Sequence, residues 1–253
     1  MRTLYGMSSP NVRKVLIMLE ELELAYAWRH VGVFAGENLT PEFRALNPFA
    51  KVPVLVEDTL AEPLFESGAI LIYLAETYGP DLLPASGAGR WETMKWLVAQ
   101  VANIGPVFGN HNHFRHDPAR APYAAERFRR TAAELYRILD RRLGDRPWLA
   151  GDAYSIADIA TFPWARYLHR HAMKPEELPN LSAWLEKISA RPAVHRAAKA
   201  VAEMGRLDAR DLENATAEDR QRLGWMHFPA PSAEEAADGR WARRGGATDE
   251  ASG

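Results

Sequence analysis

The sequence predicts two folded parts, a small α/β domain followed by an all-helical domain. Over roughly the first third of the chain, short strand-like stretches alternate with helical patterns in the order β-α-β-α-β-β-α. After a stretch rich in proline and glycine, apolar residues recur only at helical spacing. We therefore place the α/β domain at residues 1–80, a linker at 81–89, the helical domain at 90–204 and a C-terminal extension at 205–253.

The first half of the α/β domain is predicted to form a strand, a helix and a second strand. A short strand is predicted at residues 3–5, and a helix at 12–24, where apolar residues return every three or four positions. Residues 26–31 form the second predicted strand, and a short helix opens near Pro41. Because a helix connects the first two strands, we expect them to pair in parallel.

The second half of the α/β domain reads as a hairpin followed by a helix. The predicted strands are residues 51–58, with Pro53 at the start or edge, and residues 62–65. The short turn between them favours antiparallel pairing. The helix covers residues 66–79, with Ser67 as the candidate N-cap.

The helical domain is predicted from four long apolar-periodic segments and one helix-starting box. In the box, Ser155 precedes Asp158 by three residues, and Asp158 stands where glutamate or glutamine is usual. We predict a structural role for both side chains. Beyond Gly205 the chain turns polar, and residues 229–253 have the composition of a flexible tail. The four segments are residues 91–108, 123–143, 178–190 and 192–204, and the apolar residues of the extension expected to dock on the body are Trp225, Met226 and Phe228.

Composition excludes several kinds of chemistry. The formal net charge of -2 gives no reason to expect a nucleic-acid or membrane partner. The chain has 0 cysteines, so disulfides, thiolate metal sites and a cysteine nucleophile are impossible, and any thiol chemistry must use a ligand's thiol. The N-terminus lacks the pattern of a signal peptide, and the apolar runs are too short to cross a bilayer. We therefore expect a soluble, cytoplasmic protein.

Several motifs together resemble the cytosolic glutathione transferases over roughly residues 1–200. The resemblance is greatest to the bacterial Nu class, whose members resemble a yeast nitrogen regulator and act on glutathione disulfides. It implies a thioredoxin-like N-terminal domain, a helical glutathione-transferase C-terminal domain, glutathione as the cofactor and a homodimer. The motifs are SSPNVRKV, NPFAKVPVL, LFESGAILIYLAE, GPVFGNHNHF, PYAAERF and YSIADIATFPW.

The resemblance assigns the γ-glutamyl end of glutathione to a helix start. A helix N-terminus offers unpaired N–H groups and a favourable field for a carboxylate. Ser67 would bind the γ-glutamyl carboxylate, and Glu66 would pair with the ammonium group. The alternative is that Ser67 only caps the helix while Glu66 complements its dipole.

For the rest of the tripeptide, the resemblance implies a cis peptide between Val52 and Pro53. The Val52 backbone would then pair with the cysteinyl part of glutathione like an added strand, although an ordinary edge proline is the alternative. Lys51 would hold the glycine carboxylate, with a solvated surface lysine as the alternative. Asn38 is a candidate amide ligand, and Arg127 a candidate that reaches glutathione across a dimer, with a surface arginine as the alternative.

We predict that Ser9 and Asn11 contact the glutathione sulfur. Both lie where the first strand ends and the first helix begins. A thiol with a pKa near 8.5 needs about 2.7 kcal/mol of differential stabilisation to lower it by two units. One or two hydrogen bonds to a charged group, worth roughly 1.5–3 kcal/mol each, are sufficient. The alternative is that Ser8 or Ser9 merely caps the helix, and Ser8 is the rival donor.

The segment GNHNHFRH brings three histidines close together. We predict that His111, His113 and His116, with Phe114, line the cleft between the domains and that no metal is bound. The predicted function is a glutathione-dependent enzyme that holds the thiolate for disulfide reduction or for attack on an electrophile. The alternatives are glutathione-dependent cleavage of aromatic ethers and a non-catalytic glutathione-binding or scaffold protein.

Overall fold

A computed structural model describes residues 1–219 of the chain. Residues Trp225, Met226 and Phe228, and the polar segment 229–253, lie outside the described residues. Their predicted docking and flexibility therefore stay predictions. Within residues 1–219, no helix combines the length and the apolar character needed to span a bilayer.

The α/β part contains a four-stranded sheet in the order β2-β1-β3-β4. β1 pairs with β2 in parallel, while β3 pairs with both β1 and β4 in antiparallel fashion. Both predicted pairings are therefore confirmed. The strands are β1 (Arg2–Gly6), β2 (Ala27–His30), β3 (Val54–Glu57) and β4 (Leu64–Phe65).

Helices α1 (Pro10–Glu21) and α3 (Ser67–Tyr78) pack against each other beside the sheet, and the shorter α2 (Pro41–Leu46) follows β2. The turn from β1 into α1 is tight, because a Cβ on Gly6 would lie 2.6 Å from a methyl carbon of Val12. Apolar residues of β1, α1 and α3 form one continuous core with the helices that follow.

The described chain after α3 consists of helices and the loops that connect them, so the predicted fold class, α/β followed by all-α, is confirmed. α1 packs on both α7 and α9, which joins the two parts of the molecule. The helices are α4 (Gly87–Ala99), α5 (Gly105–Phe114), α6 (Pro122–Gly144), α7 (Ile156–Ala165), α8 (Pro179–Ser189) and α9 (Pro192–Asn214).

Two helix predictions were wrong in extent. The single helix expected at residues 91–108 is instead α4, a π-helical turn at Gln100–Ile104, and α5. α9 continues to Asn214, past the expected end of the helix at residue 204. The polar sequence of its last turns stays helical because Asp208 is buried and contacts residues of the α/β part.

Candidate active site

A cavity of about 1010 Å³ opens between the α/β part and the helices. Four of the predicted site residues line it: Asn11, Lys51, Glu66 and Ser67. The other residues predicted to contact glutathione do not line it, namely Ser9, Asn38, Val52, Pro53 and Arg127. The cavity is also lined by residues that sequence reasoning did not single out, among them Lys14, Gln100 and Trp164.

The start of α3 forms one end of this cavity. Glu66 precedes the helix with φ 67° and ψ 110°, in the positive-φ region that non-glycine residues rarely adopt. Its side chain makes no capping hydrogen bond, and the buried Ser67 makes none either. Backbone strain of this kind is found at sites where a fixed geometry is needed for binding. The helix start therefore keeps its N–H groups for a ligand.

The segment from Lys51 to Pro53 is held by a buried asparagine. The Nδ2 of Asn47 donates to the Lys51 carbonyl at 2.7 Å, and its Oδ1 accepts from the Phe49 N–H at 3.0 Å. The Val52–Pro53 peptide is cis, as the resemblance implied. Among residues 1–219, neither the N–H nor the C=O of Val52 has a hydrogen-bond partner. This edge is therefore free to pair with an extended peptide.

Asn38 does not reach the cavity. Its side chain is fully buried, and its Nδ2 donates to the Ala50 carbonyl at 2.8 Å. The structure therefore corrects the expectation of a direct ligand: this amide stabilises the loop immediately before Lys51. Polar loop residues do not reveal from sequence whether they point outwards or support the backbone.

The polar residues in the turn between β1 and α1 have different roles. Ser9 caps α1 by accepting from the Val12 N–H at 3.3 Å, which leaves its hydroxyl proton available. The hydroxyl and the N–H of Ser8 both donate to Asp208 of α9, the latter at 2.9 Å, so Ser8 is occupied. Ser9 does not itself line the cavity, whereas Asn11 does.

The Asn11 amide is fixed in one orientation by Trp164 of α7. The indole Nε1 donates to the Asn11 Oδ1 at 2.9 Å. Because an indole N–H is only a donor, the Asn11 oxygen must face it and the NH2 group must face away. In the described part of the chain, this NH2 group has no hydrogen-bond partner. No local sequence pattern signals this contact, because it joins residues far apart in the chain.

Lys14 lies at the bottom of the site. It is only 2% exposed, and its Nζ donates to the Ser67 Oγ at 3.2 Å and to the Gln100 Oε1 at 2.6 Å. Burial lowers the pKa of Lys14 to about 7, and the nearby Glu66 carboxylate partly opposes that shift. A partial signal was present in the sequence, since Arg13 and Lys14 interrupt the otherwise apolar stretch from Val12 to Leu19.

α5 and the loop after it form the wall opposite the α/β part. Phe114, His113 and His116 line the cavity as predicted. His111 was predicted to line it too, and this was wrong: it is buried in the helical core, with its ring centroid 4.6 Å from that of His171. Within residues 1–219, no three histidine or acidic side chains are grouped so as to hold a metal ion.

Arg127 is exposed on α6 and does not line the cavity of its own chain. Its guanidinium donates to the Tyr123 hydroxyl at 3.5 Å. A contact of this residue with glutathione would therefore have to be made in another subunit.

Both parts of the chain match family models. Residues 4–82 match the N-terminal domain of glutathione S-transferase, and residues 108–192 match its C-terminal domain. The disulfide-bond oxidoreductase YfcG of Escherichia coli (strain K12) is 41% identical over 200 residues, which cover 77% of this chain and 93% of that protein.

Solved structures of bacterial glutathione transferases are similar as well. One from Pseudomonas fluorescens, with two glutathione molecules bound, is 39% identical with a TM-score of 0.72, and the match covers 78% of this chain and 91% of that one. One from Pseudomonas putida, with one glutathione disulfide bound per subunit, is 36% identical with a TM-score of 0.72, covering 78% and 90%. The chain described here belongs to the glutathione S-transferase family.

Proposed function

We propose that this chain is a glutathione-dependent disulfide reductase that holds the glutathione sulfur as a thiolate at the start of α1. The observation that carries the proposal is the Asn11 amide, which Trp164 turns so that its NH2 group has no hydrogen-bond partner among residues 1–219. The disulfide-bond oxidoreductases of E. coli among its relatives and the glutathione-bound structures support the same reading.

Glutathione fits the polar groups around the cavity end by end. The γ-glutamyl carboxylate would take the N–H groups and hydroxyl at Ser67, and the ammonium would pair with Glu66. The cysteinyl unit would pair with the free backbone of Val52 beyond the cis bond to Pro53. The exposed Lys51 would reach the glycine carboxylate.

The sulfur would then lie at the N-terminus of α1. Two donors belong to this helix start, the Asn11 NH2 group, which lines the cavity, and the Ser9 hydroxyl, whose oxygen is used for capping but whose proton is not. Hydrogen bonds to an ionised group contribute roughly 1.5–3 kcal/mol each, enough to lower the thiol pKa by about two units without a general base. Ser8 is a weaker candidate because Asp208 accepts its proton.

Disulfide reduction in a protein without cysteine must pass electrons through glutathione alone. The bound thiolate attacks one sulfur of the disulfide, forms a mixed disulfide and expels the first thiolate. A second glutathione thiolate attacks the mixed disulfide at the glutathione sulfur, gives glutathione disulfide and releases the second thiolate. The protons of the two glutathione thiols end on the two product thiols. A cavity of 1010 Å³ is large for a single small ligand.

We further propose a homodimer in the cytoplasm. Arg127 is exposed and does not line its own cavity, which agrees with a role at the cavity of a second subunit. Cytoplasm is the compartment where reduced glutathione is the major thiol pool. The disulfide substrate would be a small molecule that enters beside His113 and Phe114.

The test is an ultraviolet titration of the glutathione thiolate bound to the protein, combined with reduction of a small hydroxyalkyl disulfide. We expect a bound-thiol pKa about two units below that of the free thiol, and N11A should raise it by about one unit with a matching loss of rate at neutral pH. W164F should give a smaller shift in the same direction, because it only releases the amide.

The matched control is N110A. Asn110 lines the same cavity, but its Nδ2 already donates to the Pro106 carbonyl at 2.8 Å, so its removal should leave the thiol pKa unchanged. A bound thiol that stays protonated at neutral pH would contradict the proposal. If the protein turned over an aryl ether but not the disulfide, the proposed substrate class would be wrong, whereas the proposed thiolate would stand.

A further inference from the structure

The buried Lys14 of α1 lines the site but has no role in the binding of glutathione as proposed above. Lys14 lies in the interface between α1 and the helices around it, at 2% exposure. Lysine is almost never fully buried unless it is paired, because burial of an ammonium group without a partner is costly. The partners of Lys14 are uncharged, so its position requires an explanation.

The geometry around the Lys14 Nζ orients the Ser67 hydroxyl. An ammonium group can only donate, so the Ser67 Oγ accepts at 3.2 Å and its own proton must point elsewhere. Ser67 lines the cavity, and its proton is thereby available to a ligand in the cavity. Lys14 therefore stands directly behind the group that we assign to the γ-glutamyl carboxylate.

Gln100 completes the arrangement from the other side of the cavity. Its Oε1 accepts from Lys14 at 2.6 Å, and the residue is fully buried at the first position of the π-helical turn Gln100–Ile104. Such turns occur frequently at functional sites. In the described chain its Nε2 has no hydrogen-bond partner. An unsatisfied buried amide beside a buried lysine indicates that the site is built for an additional polar group.

The charge of Lys14 is poised between its two forms. Burial lowers its pKa to about 7, and the Glu66 carboxylate at the start of α3 acts in the opposite direction. α3 and the π-helical turn present only the uncharged Ser67 and Gln100 to the Nζ. Within residues 1–219, no charged group of α7 or α9, which also pack on α1, contacts it. His113, His116, Asp117 and Arg120 face the same cavity from α5 and the loop after it.

We propose that Lys14 is a positioning residue for the γ-glutamyl carboxylate of glutathione and that binding of this carboxylate is coupled to uptake of a proton by Lys14. The inference rests on the proposed function, since it names glutathione as the ligand. A carboxylate bound to the Ser67 hydroxyl lies one hydrogen bond away from the Nζ and favours its charged form. The ligand ammonium neutralises Glu66, but Glu66 makes no hydrogen bond to Lys14, so the carboxylate dominates.

The experiment is calorimetric titration with S-methylglutathione, which carries both carboxylates and the ammonium but has no thiol proton. Because the free protein loses the Lys14 proton near pH 7, its affinity should fall by roughly five- to tenfold between about pH 6 and about pH 8. K14M should bind about as weakly at the lower pH as the unaltered protein does at the higher pH. The difference between the two pH profiles isolates Lys14, since K14M keeps both cavity histidines.

A second measurement needs no variant. At about pH 7, titrations in buffers of different ionisation enthalpy should report net uptake of roughly half a proton per ligand bound by the unaltered protein. If K14M does not fold, this proton count decides the matter alone. Zero uptake or proton release would overturn the inference.

The control is K51M, a lysine-to-methionine change at the other end of the proposed ligand. It should weaken binding by a similar factor at every pH, so its affinity should change with pH in the same way as that of the unaltered protein. Binding of S-methylglutathione with the same slope in K14M would overturn the coupling and leave the proposed function intact. No binding at millimolar ligand at any pH would overturn both.

Discussion

Two helices of the described chain, α3 and α7, start at a serine with an acidic residue nearby, and the two starts are built in opposite ways. At α7, Ser155 accepts from the Ala157 N–H at 3.3 Å, and Asp158 accepts from the Ser155 N–H at 3.1 Å, so the predicted capping box is confirmed. At α3, neither Glu66 nor Ser67 makes a capping hydrogen bond, and Glu66 has φ 67°. One start satisfies its own backbone, while the other leaves it open.

The difference separates a structural polar cluster from a binding site. The first N–H groups of any helix lack partners within the helix. At α7 they are covered, and Asp158 also accepts from the Leu149 N–H at 3.0 Å and the Trp184 Nε1 at 2.9 Å. At α3 the Ser67 hydroxyl is held from behind by Lys14 and its helix start faces a cavity. A closed cluster stabilises the fold, whereas an open one leaves donor groups available to a ligand.

The largest effect that this comparison predicts is loss of stability in D158A. The substitution leaves the Leu149 N–H and the Trp184 indole N–H buried without an acceptor, so we expect a loss of roughly 3–5 kcal/mol in the free energy of unfolding. Urea denaturation measures it. D158N, which keeps a carbonyl oxygen in place, is the control and should lose less. Equal stability of D158A and the unaltered protein would break the comparison.

A second buried polar cluster, around His171, predicts how the stability of the protein changes on acidification. Asn112 Oδ1 can only accept, so His171 donates to it from Nε2 at 3.2 Å, and its Nδ1 accepts from the Tyr136 hydroxyl at 2.8 Å. This arrangement needs the neutral imidazole. Burial lowers the pKa of His171 from 6.5 to about 3, with the nearby His111 and Arg115 acting in the same direction.

The direction in which stability changes with pH follows from the linkage between proton binding and folding. The unfolded chain binds a proton at His171 below about pH 6.5 while the folded protein does not, so stability is full above that pH and falls on acidification towards pH 3. We expect this group to remove roughly 2 kcal/mol by about pH 5. H171Q keeps a donor and an acceptor but cannot be protonated, so its deficit relative to the unaltered protein should shrink as the pH falls. A deficit that is the same at both pH values would contradict the assignment.

Sequence reasoning reached the elements whose signals are local. The strand pairings, the capping box and the Ser67 helix start each follow from a few neighbouring residues, and the family resemblance added the cis bond at Pro53. It missed contacts between residues far apart in the chain. Trp164 holds Asn11 across 153 positions, and Asp208 holds Ser8 across 200, so no local pattern records either contact.

The same limitation explains the two errors in helix extent. The π-helical turn at Gln100–Ile104 does not interrupt the helical spacing strongly enough to be seen, yet it is what turns Gln100 towards Lys14. The last turns of α9 are polar and looked like an extension, but Asp208 is buried against Ser8 and His30. In both places tertiary contacts determine the local backbone conformation, and a local sequence pattern does not contain those contacts.

The smallest effect is the sharpest test of the comparison, because the same substitution is made at both helix starts. S67A should lose at most about 1 kcal/mol in the free energy of unfolding, since this hydroxyl caps nothing and the buried Lys14, which donates to it, keeps Gln100 as an acceptor. It should weaken glutathione binding by about tenfold, because it removes a hydrogen bond to a charged carboxylate. Chemical denaturation and calorimetric titration measure the two quantities.

S155A should behave in the reverse way. Its hydroxyl caps α7 and also donates to the Asp158 Oδ2 at 3.1 Å, so removing it should cost about 1 kcal/mol or more of stability. Glutathione affinity should stay unchanged, because Ser155 is buried away from the cavity. If S67A lost stability and kept its affinity, the start of α3 would be a cap like that of α7, and the γ-glutamyl end of the ligand would have to be placed elsewhere. If instead the two variants separate as expected, identical chemistry at two helix starts is divided between folding and binding by whether the helix start faces its own side chains or a cavity.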